Sequence, residues 1–217
     1  MRSRIIAIEG IDASGKSTQT HLLADHLRAD GVTVEVRSFP RYESFFGRRI
    51  RALLDGDGDP GDITADTLDP RSMALWFAMD RWQSFTTSSQ CDVLLLNRYT
   101  LSNAVYQAAR ADAERGQREG DELFAWILEL EHTVLGLPHP QLTVVLDLDA
   151  SISGARSTAR ARERGASPDV YERSEQLLLA SRDRYRTAGA FVDNLALVAV
   201  GSRPPHVVAE DVRALLS

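Results

Sequence analysis

The stretch Gly10-Ile11-Asp12-Ala13-Ser14-Gly15-Lys16-Ser17 decides how this chain is organised, because it fits the phosphate-binding loop pattern G-x-x-x-x-G-K-[ST]. Lys16 is the only lysine of the chain, and all other residues among the 25 counted as Lys plus Arg are arginines. A compact ammonium on a flexible stem can follow phosphate oxygens as a point charge, whereas a planar guanidinium would crowd such a loop. The stretch therefore predicts a site for the phosphates of a nucleoside triphosphate and a reaction that moves the terminal phosphoryl group.

The segments on either side of the loop have the patterns that such a loop requires. Arg4-Ile5-Ile6-Ala7-Ile8 predicts a short buried strand, and Lys16–Ala29 predicts a helix with leucines four residues apart on one face. Gly10 and Gly15 permit backbone conformations that other residues avoid, so amide N–H groups can surround phosphates at the positive end of the helix. The residues expected to bind ATP through this loop are Gly10, Ile11, Asp12, Ala13, Ser14, Gly15, Lys16, Ser17 and Thr18.

Apolar runs that predict strands alternate along the chain with stretches that predict helices. The predicted strands are Ile5–Ile8, Val32–Phe39, Val93–Leu96, Leu142–Leu148 and Leu195–Val200. The further predicted helices lie near 44–54, 67–88, 100–113, 121–136, 150–163, 170–188 and 204–216. This alternation is typical of a parallel sheet covered on both faces. We predict an α/β fold of the P-loop NTPase type, with a five-stranded parallel sheet in one domain over residues 1–217.

Composition narrows the class of protein. Apolar residues make up 43% of the chain and charged residues 26%, which is ordinary for a globular domain. No apolar run approaches the roughly 18 residues of a membrane span, and the N-terminus leads into a strand rather than a signal peptide. The single cysteine, Cys91, excludes an internal disulfide, and the net charge of −6 disfavours broad nucleic-acid binding. We therefore expect a cytoplasmic protein with no membrane and no nucleic-acid partner.

Polar side chains follow the predicted strands at the edge where parallel sheets bind their ligands. Arg98 comes two residues after the apolar run Val93-Leu94-Leu95-Leu96, and this position alone predicts a functional role for it. Arg41 follows the second predicted strand in the same way. Both arginines can hold a phosphate dianion with fork-like hydrogen bonds.

Several separated motifs occur in a characteristic order. They are Glu9–Thr18, Phe39-Pro40-Arg41-Tyr42, Phe77-Ala78-Met79-Asp80-Arg81, Arg98-Tyr99-Thr100-Leu101-Ser102-Asn103-Ala104-Val105-Tyr106-Gln107 and an arginine-rich segment that ends in Tyr171-Glu172-Arg173. In this order and spacing they resemble the thymidylate kinases, especially those of actinobacteria, over nearly the whole chain. The resemblance implies a homodimeric enzyme that transfers a phosphoryl group from ATP to dTMP with Mg²⁺, giving dTDP and ADP.

The resemblance also implies roles on the acceptor side. Arg98 and Tyr42 would lie at the acceptor phosphate, and Phe77 would stack on the thymine ring. Arg81, one helical turn after Phe77, would reach a carbonyl of the base, and the amide of Asn103 suits its imide edge. The expected acceptor-binding residues are Asp12, Arg41, Tyr42, Phe77, Arg81, Arg98, Ser102, Asn103, Tyr106, Gln107 and Tyr171.

Each of these side chains also has a purely structural interpretation. Phe77, beside Leu75 and Trp76, could be a core residue, and Arg81 could be an exposed charge. Tyr106 could be an ordinary half-buried tyrosine instead of a ring that lies against the sugar and disfavours a 2′-hydroxyl. The pattern of motifs favours the binding roles.

An arginine-rich segment within about 150–170 resembles the mobile lid of these kinases. Arg156, Arg160 and Arg164 are four residues apart and share one face of a helix, which could also be a solvated basic face. The phosphate loop carries no arginine, and the chain in this respect resembles the subgroup in which the lid supplies one. The resemblance implies that Arg156 and Arg160 bind the triphosphate and that Arg160 closes over it and neutralises charge in the transition state. Gly165-Ala166-Ser167-Pro168 would supply the flexibility for closure.

The expected metal is Mg²⁺, with Ser17, Asp12 and Glu172 as its candidate ligands. The resemblance implies that Asp169 and Glu172 help to organise the magnesium or the acceptor side. One residue departs from the family pattern, because Asn97 stands where these kinases usually have an aspartate before the arginine. An amide brings no charge, so we expect a reduced but not abolished activity. The expected catalytic residues are Lys16, Arg98, Asp12 and Arg160.

Two other functions are compatible with the same motifs. A kinase for another pyrimidine monophosphate, such as dUMP or a 5-substituted analogue, needs only small changes around the base. The second is a non-catalytic nucleotide-binding protein, which Asn97 in place of the usual aspartate would indicate. A guanine-nucleotide switch of the usual kind is excluded, because its N-K-x-D motif needs a second lysine.

Overall fold

The computed structural model describes residues 3–56, 63–163 and 169–216, with the side chains of 160–163 excepted. Within these residues, five strands alternate with eight α-helices. The strands are β1 (Arg4–Glu9), β2 (Val34–Ser38), β3 (Val93–Asn97), β4 (Leu142–Asp147) and β5 (Leu195–Ala199). The α-helices are α1 (Lys16–Ala29), α2 (Phe45–Asp55), α3 (Pro70–Phe85), α4 (Thr100–Arg115), α5 (Gln117–Leu128), α6 (Ala150–Glu163), α7 (Glu175–Thr187) and α8 (Pro205–Ala214).

The strands form one parallel sheet in the order β2-β3-β1-β4-β5, which confirms the predicted sheet. β1 lies in the middle, paired with β3 on one side and β4 on the other. The loop after β1 therefore emerges between the loops that follow its two neighbours. This is the position at which open parallel sheets bind ligands.

Both faces of the sheet are covered, as the uninterrupted apolar runs of the strands require. Ile6 and Ile8 of β1 belong to the larger core cluster, which includes residues of most of the helices. Ile5 and Ala7, which point to the other face, belong to a second cluster with Phe39. The alternation of side chains along one central strand thus builds two cores.

The limits of two elements differ from their sequence patterns for identifiable reasons. α3 begins at Pro70, because the side chain of Asp69 accepts a hydrogen bond from Arg71 N at 2.9 Å and caps the helix. The predicted helix 121–136 begins earlier, at Gln117 after Gly116, and its last turn is a π-helix over Glu129–Val134. A π turn carries one extra residue and often marks a functional position.

No helix in the described ranges is long and apolar enough to cross a membrane.

Candidate active site

A cavity of about 600 Å³ opens at the carboxyl ends of the strands. It extends from the loop after β1 to side chains of α3 and α4. Its volume suits a small-molecule ligand. The predicted site residues that line it are Asp12, Ala13, Gly15, Lys16, Ser17, Thr18, Tyr42, Phe77, Arg81, Arg98, Ser102, Asn103, Tyr106, Gln107, Arg156, Tyr171 and Glu172. The fold thus brings residues from distant motifs to one cavity.

The phosphate loop has the backbone that its glycines predict. Gly10 has φ +135° and Gly15, which caps α1, has φ +94°. A Cβ at Gly10 would lie 2.6 Å from Leu146 O, so neither the conformation nor the space admits a side chain there. Ala13 also has a positive φ, of 54°, within the same loop. The loop is therefore held in a curved backbone at the N-terminus of a helix, the geometry that binds anions.

Lys16 lies inside this curve rather than in solvent. Its Nζ donates to Gly10 O at 3.0 Å and to Ile11 O at 2.7 Å, and the residue is 7% exposed. The loop itself thus holds the ammonium against two of its own carbonyl oxygens. A point charge in that position favours phosphate oxygens.

Arg98 and Asp12 form an ion pair in the cavity. Arg98 Nη2 donates to Asp12 Oδ1, and Tyr106 donates to Asp12 Oδ2 at 2.9 Å. Burial alone would raise the pKa of Asp12, but Arg98 and Lys16 lower that pKa to about 2. Arg98 also has a positive φ, of 63°, which costs a non-glycine residue about 1–3 kcal/mol and is characteristic of functional positions.

Two stacked tyrosines form a wall of the cavity beside this pair. The rings of Tyr106 and Tyr171 are 5.9 Å apart and nearly parallel, at 13°. Gln107 Nε2 donates to the Tyr171 hydroxyl at 3.3 Å, and Arg110 Nη1 donates to the same hydroxyl at 3.1 Å. Burial and Asp12 raise the pKa of Tyr106, so its hydroxyl keeps the proton that it donates.

The far end of the cavity carries Phe77, Arg81 and Asn103. Arg81 is 2% exposed and forms two hydrogen bonds to Glu131, at 2.5 and 2.6 Å. Asn103 Nδ2 donates to Glu131 Oε1 at 2.8 Å and to Ala74 O at 3.0 Å. The interpretation of Arg81 as an exposed charge is thereby wrong, because the guanidinium is buried and paired at the wall of the cavity.

Arg41 does not line the cavity, in contrast to the expectation that it holds a phosphate directly. Its guanidinium donates to Asp80 O at 2.9 Å and to Gln83 Oε1 at 3.2 Å, and it forms an ion pair with the buried Asp80 carboxylate. Asp80 also accepts from Arg41 N and from the hydroxyl of Ser44. Because a buried carboxylate holds Arg41, its structural role here is to join the chain after β2 to α3.

Asn97 lies at the end of β3 next to the phosphate loop. Its Nδ2 donates to Ser17 Oγ at 3.1 Å and to Ser38 Oγ at 3.3 Å, while its buried Oδ1 has no hydrogen-bond partner among the described residues. Asn97 and Ser17 both line the cavity. An amide oxygen without a partner, on a residue whose nitrogen contacts the Ser17 hydroxyl, fits Mg²⁺. This cation prefers oxygen ligands and is often held by one or two protein groups with substrate phosphates and water.

Two further acidic residues reach the cavity from the segment before α7. Asp169 Oδ1 accepts hydrogen bonds from Tyr171 N at 2.9 Å and Glu172 N at 2.8 Å. Burial and the nearby Asp12 raise the pKa of Asp169 to about 7. Among the described residues no cluster of three or more His, Cys, Asp or Glu side chains is placed to hold a metal. The candidate set of Ser17, Asp12 and Glu172 stays a prediction.

The arginine-rich segment is described only in part. α6 extends over Ala150–Glu163, and Arg156 lines the cavity while its Nη2 donates to Gly201 O at 3.1 Å. The described residues include the backbone of Arg160 but not its side chain. They do not include Arg164 or residues 165–168. The role of these residues as a lid stays a prediction.

Three residues that organise the site were not among the predicted site residues. Glu131 is fully buried and accepts hydrogen bonds from Arg81 and Asn103. Its position in the sequence could have indicated burial, because it comes four residues after Ile127 and so lies on the apolar face of the predicted helix. Asp80 forms an ion pair with Arg41 and belongs to the motif Phe77-Ala78-Met79-Asp80-Arg81. Arg110 is 6% exposed and gave no signal, since any arginine on α4 could equally have been a surface charge.

Comparisons with known proteins agree on one family. The family model described as Thymidylate kinase matches residues 8–212. The chain is 36% identical over 181 residues to the thymidylate kinase of Mycobacterium tuberculosis, a match that covers 80% of this chain and 79% of the relative. It is 31% identical over 202 residues to the thymidylate kinase of Bifidobacterium longum, with 88% and 91% covered.

The fold has a solved counterpart. The structure of the thymidylate kinase from Candida albicans superimposes with a TM-score of 0.73 at 23% identity. The match covers 99% of this chain and 91% of that one. This likeness shows that the two proteins share their fold, the P-loop NTPase fold predicted from the sequence.

Proposed function

The chain belongs to the thymidylate kinase family, and from that premise we propose that it transfers the γ-phosphoryl group of ATP to dTMP, giving dTDP and ADP. It is a nucleoside monophosphate kinase, a phosphotransferase whose acceptor is itself a phosphate. We propose one kinase domain over residues 1–217.

One observation carries this proposal. One cavity is lined by the phosphate loop, by the Arg98–Asp12 pair, and by Phe77 and Asn103. A phosphate site, a charged centre and an aromatic wall with a polar edge are the successive contacts that a triphosphate, an acceptor phosphate and a flat base require. Transfer between two phosphates needs alignment and charge neutralisation rather than covalent chemistry by the protein.

The side chains at the centre would perform that alignment. Lys16 would pair with the transferred phosphoryl group, and Arg98 would bridge it to the acceptor phosphate. A carboxylate with a pKa of about 2 is a poor base, so Asp12 would hold Arg98 in place rather than accept a proton. The acceptor needs no strong base, because a phosphate dianion is already nucleophilic. Tyr106 would lie against the sugar.

We propose Mg²⁺ as the cofactor on the fit of the groups next to the phosphate loop. Ser17 Oγ and Asn97 Oδ1 are the oxygens that would hold it, and Asp12 and Glu172, which line the same cavity, are the further candidate ligands. When bound, the cation neutralises charge on the phosphates. The missing carboxylate at position 97 would lower metal affinity rather than remove it.

The arginines of α6 would complete the neutralisation. Arg156 already lines the cavity, and Arg160 lies one turn further along the same helix. We propose that Arg156 contacts the triphosphate and that Arg160 approaches it when the segment closes. Closure would exclude water and so limit hydrolysis of ATP.

We also propose a homodimer and a cytoplasmic location. Leu75 and Trp82 of α3 are 45% and 41% exposed, and Val134 is 68% exposed, which are apolar surfaces that a second copy could cover. Size-exclusion chromatography with light scattering tests the dimer, and a monomer at micromolar concentration would contradict it.

The deciding experiment is a coupled ADP-release assay with Mg·ATP and, in parallel, dTMP, dUMP, UMP, dCMP and dGMP. We expect the highest kcat/KM on dTMP, and loss of at least about a hundredfold in Lys16→Ala and Arg98→Ala. Arg118→Ala is the matched control, because the Arg118 side chain is 82% exposed.

The other results have definite meanings. The highest kcat/KM on another pyrimidine nucleotide would move the function to a sister kinase on the same scaffold. Binding of ATP without turnover of any acceptor would favour a non-catalytic protein, with Asn97 as the first residue to change.

A further inference from the structure

Glu131 is a buried carboxylate that touches two side chains of the cavity wall. It is 0% exposed, in the π turn that follows α5. Its Oε1 accepts from Asn103 Nδ2 at 2.8 Å and from Arg81 Nη2 at 2.6 Å, and its Oε2 accepts from Arg81 Nε at 2.5 Å. One carboxylate thus receives three hydrogen bonds from Arg81 and Asn103. We call the part of the cavity that these two residues and Phe77 line, where the nucleobase would bind, the base end.

These contacts determine which way the amide of Asn103 points. Nδ2 has two hydrogens, and two oxygens lie within hydrogen-bond distance of it, Glu131 Oε1 and Ala74 O. Reversing the amide would set Oδ1 against both of these acceptors, which is unfavourable in a buried site. Asn103 is 3% exposed, and its Oδ1 has no partner among the described residues. The amide therefore keeps its oxygen free and its nitrogen occupied.

We propose that Glu131 is a positioning residue that makes the base end of the cavity specific for pyrimidines with a protonated N3, thymine and uracil, against cytosine. The proposal rests on the proposed function and deepens it. Glu131 acts through Asn103, whose free Oδ1 is left as an acceptor, and it holds the Arg81 guanidinium as a donor beside it.

The chemistry of the bases explains the selection. Thymine and uracil have a donor at N3 and an acceptor at O4, which complement an acceptor from Asn103 and a donor from Arg81. Cytosine has an acceptor at N3 and a donor amino group at C4, so both contacts would be between like groups. A buried polar group that is left unpaired by the wrong base costs far more than a missing methyl group.

Replacing Glu131 by glutamine tests this role. The carboxamide keeps one acceptor oxygen where the carboxylate has two, so one of the three donors from Asn103 and Arg81 loses its partner. With that restraint weakened, the amide of Asn103 can rotate. For Glu131→Gln we expect the ratio of kcat/KM for dTMP over dCMP to fall about tenfold or more. The ratio for dTMP over dUMP should not change, because these bases have the same imide edge.

Two controls separate positioning from general damage. Glu129→Gln changes an exposed glutamate of the same π turn and should leave both ratios unchanged. In the Asn103→Ala background, Glu131→Gln should have a much smaller effect on the dTMP to dCMP ratio than in the wild type, because the two residues act together. A folded Glu131→Gln protein with the wild-type ratio would overturn the proposal.

A measurement on the unsubstituted protein keeps the proposal testable if Glu131→Gln does not fold. The side-chain NH₂ signal of Asn103, assigned in ¹⁵N NMR spectra by its loss in Asn103→Ala, should exchange slowly with solvent in the absence of ligand. Rapid exchange would mean that Nδ2 faces the cavity and would overturn the proposal. The measurement needs no turnover, so a protein inactive on dTMP would refute the proposed function separately.

Discussion

Arg98 and Asp12 are joined by a hydrogen-bonded ion pair, although 86 residues separate them in the chain. The pair connects the end of β3 with the phosphate loop after β1, and these two strands are neighbours in the sheet. Tyr106 completes the arrangement by donating to the second oxygen of Asp12. The guanidinium of Arg98, which we propose contacts both phosphates, is thus held in place by a residue of the phosphate loop.

The Arg98–Asp12 pair predicts a loss of stability in acid. Because the pKa of Asp12 in the folded protein is about 2 and its ordinary value is 3.8, this carboxylate contributes stability above pH 4 that is lost as the pH falls to 2. We expect about 2 kcal/mol for the change. The measurement is urea unfolding of the wild type and of Asp12→Asn between pH 5 and pH 2, and the difference between their free energies of unfolding should shrink by that amount. A difference independent of pH would contradict the pairing.

The raised pKa of Asp169 predicts the opposite pH dependence of the free energy of unfolding. Its pKa is raised to about 7, so its neutral form is favoured in the folded protein, and its stabilising effect is complete below pH 4 and lost as the pH rises through 7. Asp169→Asn should therefore be more stable than the wild type at pH 8, by about 4 kcal/mol, and similar to it at pH 4.

The test for Asp169 is chemical denaturation without nucleotide or metal at both pH values. Asp183→Asn, a change at an exposed residue of α7, is the matched control. An equal gain at pH 4 and pH 8 would show that the effect does not come from titration of Asp169.

Asn97 predicts an effect on magnesium dependence. Asn97→Asp would put a carboxylate beside Ser17, where the amide oxygen now has no partner within the described part of the chain. We expect the magnesium concentration for half-maximal rate to fall severalfold, with a higher rate at limiting metal, because an oxygen with full charge binds Mg²⁺ more strongly. Initial rates at fixed ATP and varied Mg²⁺ measure it. An unchanged magnesium dependence would refute a metal role for position 97.

Gly10 predicts a large cost for the smallest substitution. In Gly10→Ala the new Cβ would lie 2.6 Å from Leu146 O and 2.9 Å from Ser14 Oγ, at φ +135°. We expect a loss of about 3 kcal/mol in the free energy of unfolding, with loss of ATP binding. Thermal and urea unfolding measure the first, and nucleotide titration the second.

Gly154 is the control for that substitution. A Cβ there would meet no atom within 4 Å, and the residue lies in α6. Gly154→Ala should be neutral or stabilising by up to about 1 kcal/mol, because alanine is the better helix former. Similar losses at both glycines would show that crowding at Gly10 is not the cause.

The sequence predicted the fold and the phosphate end of the site because both depend on local patterns. The apolar runs around Ile6 and Leu95 indicated buried strands, and the positive φ of Gly10 and Gly15 is what their place in the loop pattern predicts. The place of Lys16 in a loop between a strand and a helix limited the groups that its ammonium could contact. Arg98 could be assigned from its distance to the end of an apolar strand.

Side-chain partners across the fold could not be assigned in this way. Arg41 and Arg98 each come two residues after an apolar run that predicts a strand, Val32–Phe39 and Val93–Leu96. Yet Arg41 is held by Asp80 away from the cavity, and Arg98 lies within it. Nothing local distinguishes two arginines that each follow a strand. The difference comes from α3, which brings a buried carboxylate to one of them.

By itself, the sequence determined the order of strands and helices and the conformation of the phosphate loop, since hydrophobic period and glycine stereochemistry act within a few residues. Only the tertiary structure decided how Glu131 meets Arg81 and Asn103, residues 50 and 28 positions away. The physical reason is that a buried carboxylate needs donors from wherever the chain packs against it. Those donors are provided by the contact of three helical segments, which no short stretch of sequence encodes.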